Sequence, residues 1–334
     1  MFLSACSEDG AKPAGTDEGE VTDEEPAGDD DDKVTGSVDS GRRNSPDASA
    51  PDKPAPDAGV GGEKDGGGST SNDTGKPPAS SGGSCLDGIT DYGAKGPFKF
   101  SAKPSGSIKI WVPEVPAGCK VPVIHLANGT GANCGNYQKV LDTFASHGFL
   151  TTCYESPQTG AGTQGLMAFK TALETYPELA DKRFGSTGHS QGGQGAFTVL
   201  QLTETEFGAD AVYAGLAMQP ASGFGSQPSG GSWQEVYAKI KSPMFMFSGT
   251  SDTLVSAAWV KRGFDALDDG IEAYNWSAKN ATHIPTPQAE TQEVGVPWFR
   301  WKLLGDQAAC KAFKALAGKG RWTESDVQNA AECQ

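Results

Sequence analysis

A long N-terminal stretch of this 334-residue sequence lacks aromatic side chains, since residues 7–84 contain no Phe, Trp or Tyr. The same stretch holds 15 Gly and 8 Pro, and its 19 acidic side chains outnumber 7 basic ones. Such a segment cannot bury enough apolar surface to offset the entropy lost on ordering. We therefore expect residues 7–84 to be a disordered acidic linker and residues 85–334 to form the folded domain.

Basic residues are scarce in the whole chain, with 27 Lys and Arg against 42 Asp and Glu and a net charge of −15. A nucleic-acid partner requires positive charge that neutralises phosphates, so the composition argues against this class of partner. Long apolar runs are also missing, and no stretch has the length that a membrane-spanning helix needs.

The sequence Leu-Ser-Ala-Cys at residues 3–6 resembles the lipobox of bacterial lipoprotein signals, in which Cys6 becomes the lipidated N-terminus. A complete signal has a basic start and about 7–15 apolar residues. Because these are missing, either the start is misplaced or the signal was trimmed, and a chance match is the alternative. The linker directly after Cys6 favours the anchor. We expect residues 1–6 to be a signal remnant, and the protein to be a bacterial surface lipoprotein or secreted, touching the membrane only through this anchor.

Metal-binding spacings are absent as well, since there is no Cys-x-x-Cys and no paired His. With Cys6 set aside, six cysteines remain, and an even number in an exported chain predicts three disulfides. These cysteines are Cys85, Cys119, Cys134, Cys153, Cys310 and Cys333.

Strands and helices alternate along residues 85–334, which have the usual size of one α/β domain. An antiparallel pair of edge strands is predicted at 98–102 and 107–112. Buried strands are predicted at 121–127, 149–154, 211–218, 244–247 and 271–276. Helices are predicted at 137–146, 164–176, 196–203, 255–267 and 296–304. This alternation predicts a mostly parallel central sheet with helices on both faces.

The most informative motif is Gly-His-Ser-Gln-Gly at 188–192, which fits the pattern Gly-x-Ser-x-Gly. A strand runs into Gly188 and a helix follows, so Ser190 stands at a sharp strand-to-helix turn. Gly188 and Gly192 lack the Cβ atoms that would collide with the neighbouring strand and helix. A Gly-rich loop is the alternative, but the order of strand, turn and helix predicts the nucleophile elbow of an α/β-hydrolase.

A nucleophilic serine needs an adjacent base, and the chain has four histidines. His125 lies in a predicted buried strand and His147 ends a helix, so a structural role explains both. His189 is adjacent to Ser190 but projects differently in the elbow, and we expect it to line the site. His283 lies in a loop after the last predicted strand and is the predicted base.

The orienting acid follows a strand and precedes the histidine in α/β-hydrolases. Asp252 comes directly after the predicted strand 244–247 and is the predicted acid, although a turn aspartate is the alternative. Asp210 precedes its strand, and the other rivals lie on or after a helix. Those rivals are Asp265, Asp268 and Asp269.

Two backbone N–H groups are expected to stabilise the oxyanion. One belongs to Gln191, directly after the nucleophile. The other is assigned to Thr130, in the loop after strand 121–127, where an ordinary β-turn is the alternative. The residues expected to contact the substrate are Gly129, His189, Gln219 and Ser222.

Together these residues resemble the cutinase-like polyester hydrolases (the PET hydrolase-like family), which have the α/β-hydrolase fold. The resemblance covers nearly all of residues 85–334. Asn-Gly-Thr at 128–130 stands where the family has Pro-Gly-aromatic, and Ser-His-Gly-Phe at 146–149 matches the family directly. Gly-His-Ser-Gln-Gly-Gly at 188–193 matches its Gly-His-Ser-Met-Gly-Gly.

The resemblance implies a serine esterase in which Ser190, Asp252 and His283 form the triad, without cofactor or metal ion. It also implies a terminal disulfide between Cys310 and Cys333. We expect a monomer that cleaves short-acyl or polyester-like esters. A peptidase or amidase on the same fold stays open, as does a non-catalytic surface-binding protein with a vestigial triad, against which the intact triad argues.

Three departures from the family affect the expected substrate. Thr130 replaces an aromatic residue, Gln191 replaces Met, and residues 218–222 lack the family's Trp. Less aromatic surface remains for stacking. We therefore expect a preference for short acyl groups and weak action on aromatic polyesters.

Topology favours the pairs Cys85–Cys119 and Cys134–Cys153. Cys85 leads into the first strand, which is expected to lie parallel to strand 121–127 and two positions from it. Cys85 and Cys119 should therefore both lie at the N-terminal ends of the strands. The other two cysteines lie at the opposite ends of the strands, about 17–20 Å away. Bridged Cα atoms lie within about 7 Å, which disfavours crossed pairings.

Overall fold

The computed structural model describes residues 85–93, 95–225, 227–284 and 287–334. The signal remnant at 1–6, the anchor at Cys6 and the linker at 7–84 lie outside the described residues. Within the described part of the chain, nine strands form one sheet. They are β1 (Phe100–Ser105), β2 (Ile108–Pro113), β3 (Val121–Ala127), β4 (Leu150–Tyr154), β5 (Ala180–His189), β6 (Val212–Met218), β7 (Met244–Gly249), β8 (Ala273–Ala278) and β9 (Trp322–Gln328).

The sheet has the strand order β1-β2-β4-β3-β5-β6-β7-β8-β9. The six strands from β4 to β8 in this order are parallel neighbours. Antiparallel strands extend both edges, since β1 pairs with β2, β2 with β4, and β9 with β8. The predicted α/β class with a mostly parallel sheet is confirmed. The carboxyl ends of the parallel strands all lie on the same side of the sheet, and open α/β sheets bind ligands at these strand ends.

Helices cover both faces of the sheet, as predicted, and each face has its own apolar core. The helices are α1 (Gln138–Ser146), α2 (Thr163–Thr175), α3 (Gln191–Phe207), α4 (Trp233–Tyr237), α5 (Ala257–Phe264), α6 (Gln288–Leu304) and α7 (Gln307–Leu316). Phe144 and Phe299 belong to one core, which involves α1, α6 and α7. Phe169 and Phe197 belong to the other, which involves α2 and α3.

Two predicted helix starts were wrong. Helix α3 begins at Gln191 rather than at 196. Its first turns contain three glycines, whose low helix propensity argues against a helix there. At Gly193 a Cβ would lie 2.6 Å from the Cα of Pro220, so the glycine lets the helix pack closely. Helix α6 begins at Gln288 rather than at 296. Pro297 lies inside the helix, although proline is typical of a first helical position.

Helices α4 and α7 and strand β9 were not predicted. Helix α7 is N-capped by Asp306, whose side chain accepts from the N–H of Ala309. Strand β9 is mostly exposed, with Trp322 as its buried residue, so it lacks the apolar run that marks a core strand. Both segments extend the domain beyond the predicted closing helix.

The three predicted disulfides are confirmed. The Cα atoms of Cys85–Cys119, Cys134–Cys153 and Cys310–Cys333 are 5.9, 5.8 and 5.7 Å apart. The predicted distance between two strands was wrong. Both β2 and β4 lie between β1 and β3, so β1 is three positions from β3 rather than two. The disulfides indicate an oxidising environment. None of the helices in the described ranges is long and apolar enough to cross a membrane.

Candidate active site

Ser190 stands between β5 and α3 with a backbone φ of 57° and ψ of −120°. A positive φ is strained for a side chain with a Cβ and persists where the surroundings enforce it. The surroundings here are tight: a Cβ at Gly188 would lie 1.9 Å from the carbonyl oxygen of Gly192, and one at Gly192 would lie 2.1 Å from that of Ala127. The predicted need for glycine at both positions is therefore confirmed.

The structure brings Ser190, His283 and Asp252 into one line of hydrogen bonds. His283 Nε2 is 3.0 Å from Ser190 Oγ, and His283 Nδ1 is 2.8 Å from Asp252 Oδ2. All three side chains are buried. A carboxylate can only accept, so the Nδ1 of His283 carries the proton toward Asp252 and Nε2 is left to accept from the serine hydroxyl.

Asp252 is fixed by the loop that follows β7. Its Oδ1 accepts the backbone N–H groups of Leu254 and Val255, each at 2.8 Å, which leaves Oδ2 for His283. This loop is also bonded to the histidine loop, because the N–H of Ser251 donates to the carbonyl of Ala281 at 3.0 Å. The orientation of the acid is thus set by backbone groups.

A cavity of about 490 Å³ opens beside Ser190 and His283. Gly129, Thr130 and Tyr137 are among the residues on its walls. Five further lining residues have apolar side chains larger than alanine: Phe224, Leu254, Val255, Trp259 and Ile284. Five large hydrophobic side chains are exposed among the described residues, and three of them, Phe224, Leu254 and Ile284, lie at this cavity. The exposed apolar surface is therefore concentrated at the candidate site.

The two predicted oxyanion residues lie close together. Thr130 is on the cavity wall, and its hydroxyl donates to Gln191 Oε1 at 3.0 Å. Gln191 is the first residue of α3, and a helix N-terminus favours negative charge. Its side-chain amide donates in turn to Gln158 Oε1 at 3.1 Å. The loop after β3 and the start of α3 are thus joined next to Ser190.

The four predicted substrate-contacting residues separate into two pairs. Gly129 and His189 line the cavity. Gln219 and Ser222 do not belong to its lining. The hydroxyl of Ser222 pairs instead with Tyr237 at 3.0 Å, and the amide of Gln219 contacts His189 and the backbone of Thr282.

His189 is buried beside the candidate base, with its ring centroid 4.6 Å from that of His283. Burial lowers the pKa of His189 to about 3, and the neighbouring His283 acts in the same direction. His189 therefore stays neutral near pH 7. It therefore adds no positive charge beside the ring of His283.

The other two histidines are structural, as expected. His125 in β3 is fully buried, and its Nδ1 is 3.1 Å from Thr152 Oγ1. Burial lowers the pKa of His125 to about 3. His147 ends α1, where its backbone N–H contacts the carbonyls of Thr143 and Phe144.

Sequence reasoning missed several residues of the site. Leu254 and Ile284 stand close to the predicted acid and base, and an exposed apolar residue at such a place was a usable signal. Trp259 belongs to the predicted helix 255–267, where an aromatic residue carries no site-specific pattern. Tyr137 was assigned only to the start of a helix, and the sequence held no further signal for it.

No group of three or more His, Cys, Asp or Glu side chains in the described ranges is arranged to hold a metal ion. The chain matches no known protein-family model and no curated protein. The geometry of the site is therefore the basis for any functional assignment.

Proposed function

We propose that this protein is a serine hydrolase that cleaves carboxylic esters through an acyl-enzyme. The observation that carries the proposal is the unbroken line of hydrogen bonds from Ser190 through His283 to Asp252. The proposed fold is the α/β-hydrolase fold, supported by the elbow at Ser190 and by the chain order Ser, Asp, His. On these grounds the proposal keeps the resemblance to cutinase-like polyester hydrolases.

In the first half of the reaction, Ser190 Oγ attacks the ester carbonyl carbon while its proton passes to His283 Nε2. The carbonyl electron pair moves to oxygen, which the backbone N–H groups of Gln191 and Thr130 are proposed to stabilise. Asp252 stabilises the imidazolium that forms. His283 then gives the proton to the leaving alkoxide, the C–O bond breaks, and an alcohol and an acyl-serine result.

In the second half, water attacks the acyl carbon and His283 takes its proton. Collapse of the second tetrahedral intermediate returns that proton to Ser190 Oγ and releases the carboxylic acid. No electrons leave or enter, so the residues of the chain and one water complete the cycle. The proposed reaction needs no metal or cofactor.

The proposed substrate carries an apolar group next to the ester. Phe224, Leu254, Trp259 and Ile284 offer apolar contact area at the cavity. The preference for short acyl groups stays a prediction that followed from missing aromatic surface. Trp259 adds such surface from another element, so we propose that larger apolar esters also bind.

The proposed location is outside the cytoplasm, as a secreted monomer or as a surface lipoprotein anchored at Cys6. The three disulfides support export, because such bonds persist in oxidising compartments. The anchor itself depends on the Leu-Ser-Ala-Cys sequence at residues 3–6.

A substrate panel tests the proposal. Purified protein and the Ser190→Ala variant are assayed with p-nitrophenyl esters of increasing acyl length and with matched anilides. The proposal expects ester hydrolysis that the variant loses down to the residual level of binding and oxyanion contacts, about 10³–10⁴-fold over water. Hydrolysis of anilides at rates equal to those of esters would favour an amidase, and inactivity on both would favour a binding protein.

A further inference from the structure

A chain of buried hydrogen bonds runs behind the triad and joins the two loops on either side of Ser190. The N–H of Gly129 donates to the hydroxyl oxygen of Tyr137 at 2.9 Å. This hydroxyl is 3.0 Å from His189 Nδ1, and His189 Nε2 is 3.2 Å from Gln219 Oε1. The amide nitrogen of Gln219 donates to the carbonyl of Thr282 at 3.1 Å, one residue before His283.

Backbone groups at both ends fix the direction of every proton in this chain. The carbonyl of Thr282 can only accept, so the NH₂ of Gln219 faces it and Oε1 faces His189. His189 must then carry its proton on Nε2, which leaves Nδ1 as an acceptor. Tyr137 donates to that Nδ1, and its oxygen accepts from Gly129. One proton arrangement therefore satisfies all four hydrogen bonds.

The surroundings leave little freedom to this chain. Tyr137, His189 and Gln219 are buried. A Cβ at Gly129 would lie 3.0 Å from the Tyr137 hydroxyl and 3.3 Å from His189 Nδ1, so a larger residue there would crowd the contact. Gln219 has a φ of 45°, which is uncommon outside glycine and marks a backbone held by its neighbours.

We propose that Tyr137, His189 and Gln219 are positioning residues that set the oxyanion loop at Gly129 and Thr130 relative to the loop that carries the base His283. This inference rests on the proposed function. The chain links the donors that act on the developing oxyanion with the group that takes the proton. Its loss therefore misplaces reacting groups, whereas the apolar walls that bind the substrate in the ground state stay in place.

The protonation states of Tyr137 and His189 in this hydrogen-bond chain do not change around neutral pH. Burial raises the pKa of Tyr137 to about 12, so the hydroxyl keeps its proton. Burial lowers the pKa of His189 to about 3, so its Nδ1 stays unprotonated. Both shifts favour the single arrangement that the geometry requires.

The variant Tyr137→Phe removes the hydroxyl and keeps the ring. We expect kcat on a p-nitrophenyl ester to fall about 10²-fold, the cost typical of a small misplacement in an active site. KM should stay within about twofold, because ground-state binding is retained. The inhibition constant of an alkyl boronic acid, which mimics the tetrahedral intermediate at Ser190, should rise in proportion to the loss of kcat. The matched control is Tyr213→Phe, a buried tyrosine off the cavity whose hydroxyl donates to the Gly208 carbonyl at 2.7 Å.

A second variant approaches the chain from its other end. Gln219→Met removes both amide contacts at similar side-chain length, and we expect the same selective loss of kcat. If the chain acts as one unit, the double variant should be no slower than the slower single variant. Equal kcat losses in Tyr137→Phe and Tyr213→Phe, or multiplicative losses in the double variant, would overturn the proposal.

A nitrogen-15 NMR spectrum of the histidine rings gives a readout that is independent of esterase activity. We expect His189 to carry its proton on Nε2 in the native protein. Its ring signals are assigned by their absence from the spectrum of His189→Asn. A proton on Nδ1 would overturn the proposed hydrogen-bond chain even if the protein is an esterase. If the native protein hydrolyses no ester while His189 has the expected tautomer, the proposed function fails and the chain is a structural link only.

Discussion

The indole Nε1–H of Trp259 donates a hydrogen bond to the carbonyl oxygen of Ser222 at 2.8 Å. This contact joins helix α5 to the segment after β6, where the resembling family carries a tryptophan and this chain does not. Trp259 is partly exposed on the cavity wall, close to the exposed Leu254. An aromatic surface is therefore present at the site, but a different element supplies it.

Replacing Trp259 tests what this surface binds. Trp259→Ala should raise KM for esters with a large apolar group by about 2–10-fold, since an aromatic contact contributes about 0.5–1.5 kcal/mol beyond its area. KM for an acetyl ester should change little, because a short acyl group does not reach the wall. The control is Met167→Ala, which removes an exposed apolar residue that does not line the cavity. Equal changes in KM for both esters would refute this role.

The acid is tested by Asp252→Asn. The asparagine Oδ1 can still accept from Leu254 and Val255, so the loop should keep its structure. Its NH₂, however, faces His283 Nδ1 and favours the wrong tautomer, which costs about 10⁴ in kcat in a triad enzyme. The measurement is kcat together with the melting temperature. The control is Asp265→Asn, an exposed rival paired with Lys261, which should leave kcat unchanged.

The bridge Cys134–Cys153 is expected to support catalysis as well as stability. Cys134 opens the short 3₁₀ helix that ends at Tyr137, and Cys153 lies in β4, the neighbour of β3. Replacing this pair by alanine should free the loop that carries Thr130 and lower kcat. The loss of unfolding free energy should be about 3 kcal/mol, the value for loops of this length.

The C-terminal bridge is the matched control for this prediction. Cys310–Cys333 spans 23 residues against 19 for Cys134–Cys153, so the entropic stabilisation is similar. Removing it should cost comparable stability at unchanged kcat. If both double variants lose kcat equally, the bridge near the site has no special part in catalysis.

Stability should fall in mild acid because of His125. Its pKa is about 3 in the folded protein against an ordinary 6.5, so between these values the unfolded chain binds a proton that the folded protein does not. The part of the folding stability that depends on a neutral His125 is therefore fully present above pH 6.5 and is lost as the pH falls toward 3, by up to about 1.4 kcal/mol per pH unit. His125→Leu should reduce this slope in urea unfolding between pH 7 and about pH 4. An unchanged slope would assign the acid lability to other groups, such as His189.

Much of the fold could be predicted from the sequence because core strands are marked by local runs of apolar residues. Apolar runs marked β3, β6 and β7, and the glycines around Ser190 marked the elbow. The start of α6 was predicted too late in the chain. Pro297 lies inside this helix, although proline is typical of a first helical position. Strand β9 escaped prediction because, apart from Trp322, it is mostly polar and exposed.

The site was readable to the extent that its residues have a chemical signature. Ser190, Asp252 and His283 were predicted from motif, strand order and elimination, and the structure brings them within hydrogen-bonding distance. The contacts of Tyr137 and Trp259 depend on how distant elements pack, which one sequence does not encode locally. That Gln219 contacts the substrate stays a prediction; in the structure its amide contacts His189 and the carbonyl of Thr282.

The most direct test of the proposed nucleophile is covalent labelling with a fluorophosphonate, followed by peptide mass spectrometry. This reagent reacts with a serine that an adjacent base activates. We expect one adduct on Ser190 in the native protein and its loss in His283→Ala, with both proteins folded by circular dichroism. An unlabelled native protein, or an adduct on a different serine, would contradict the assignment of Ser190 as the nucleophile.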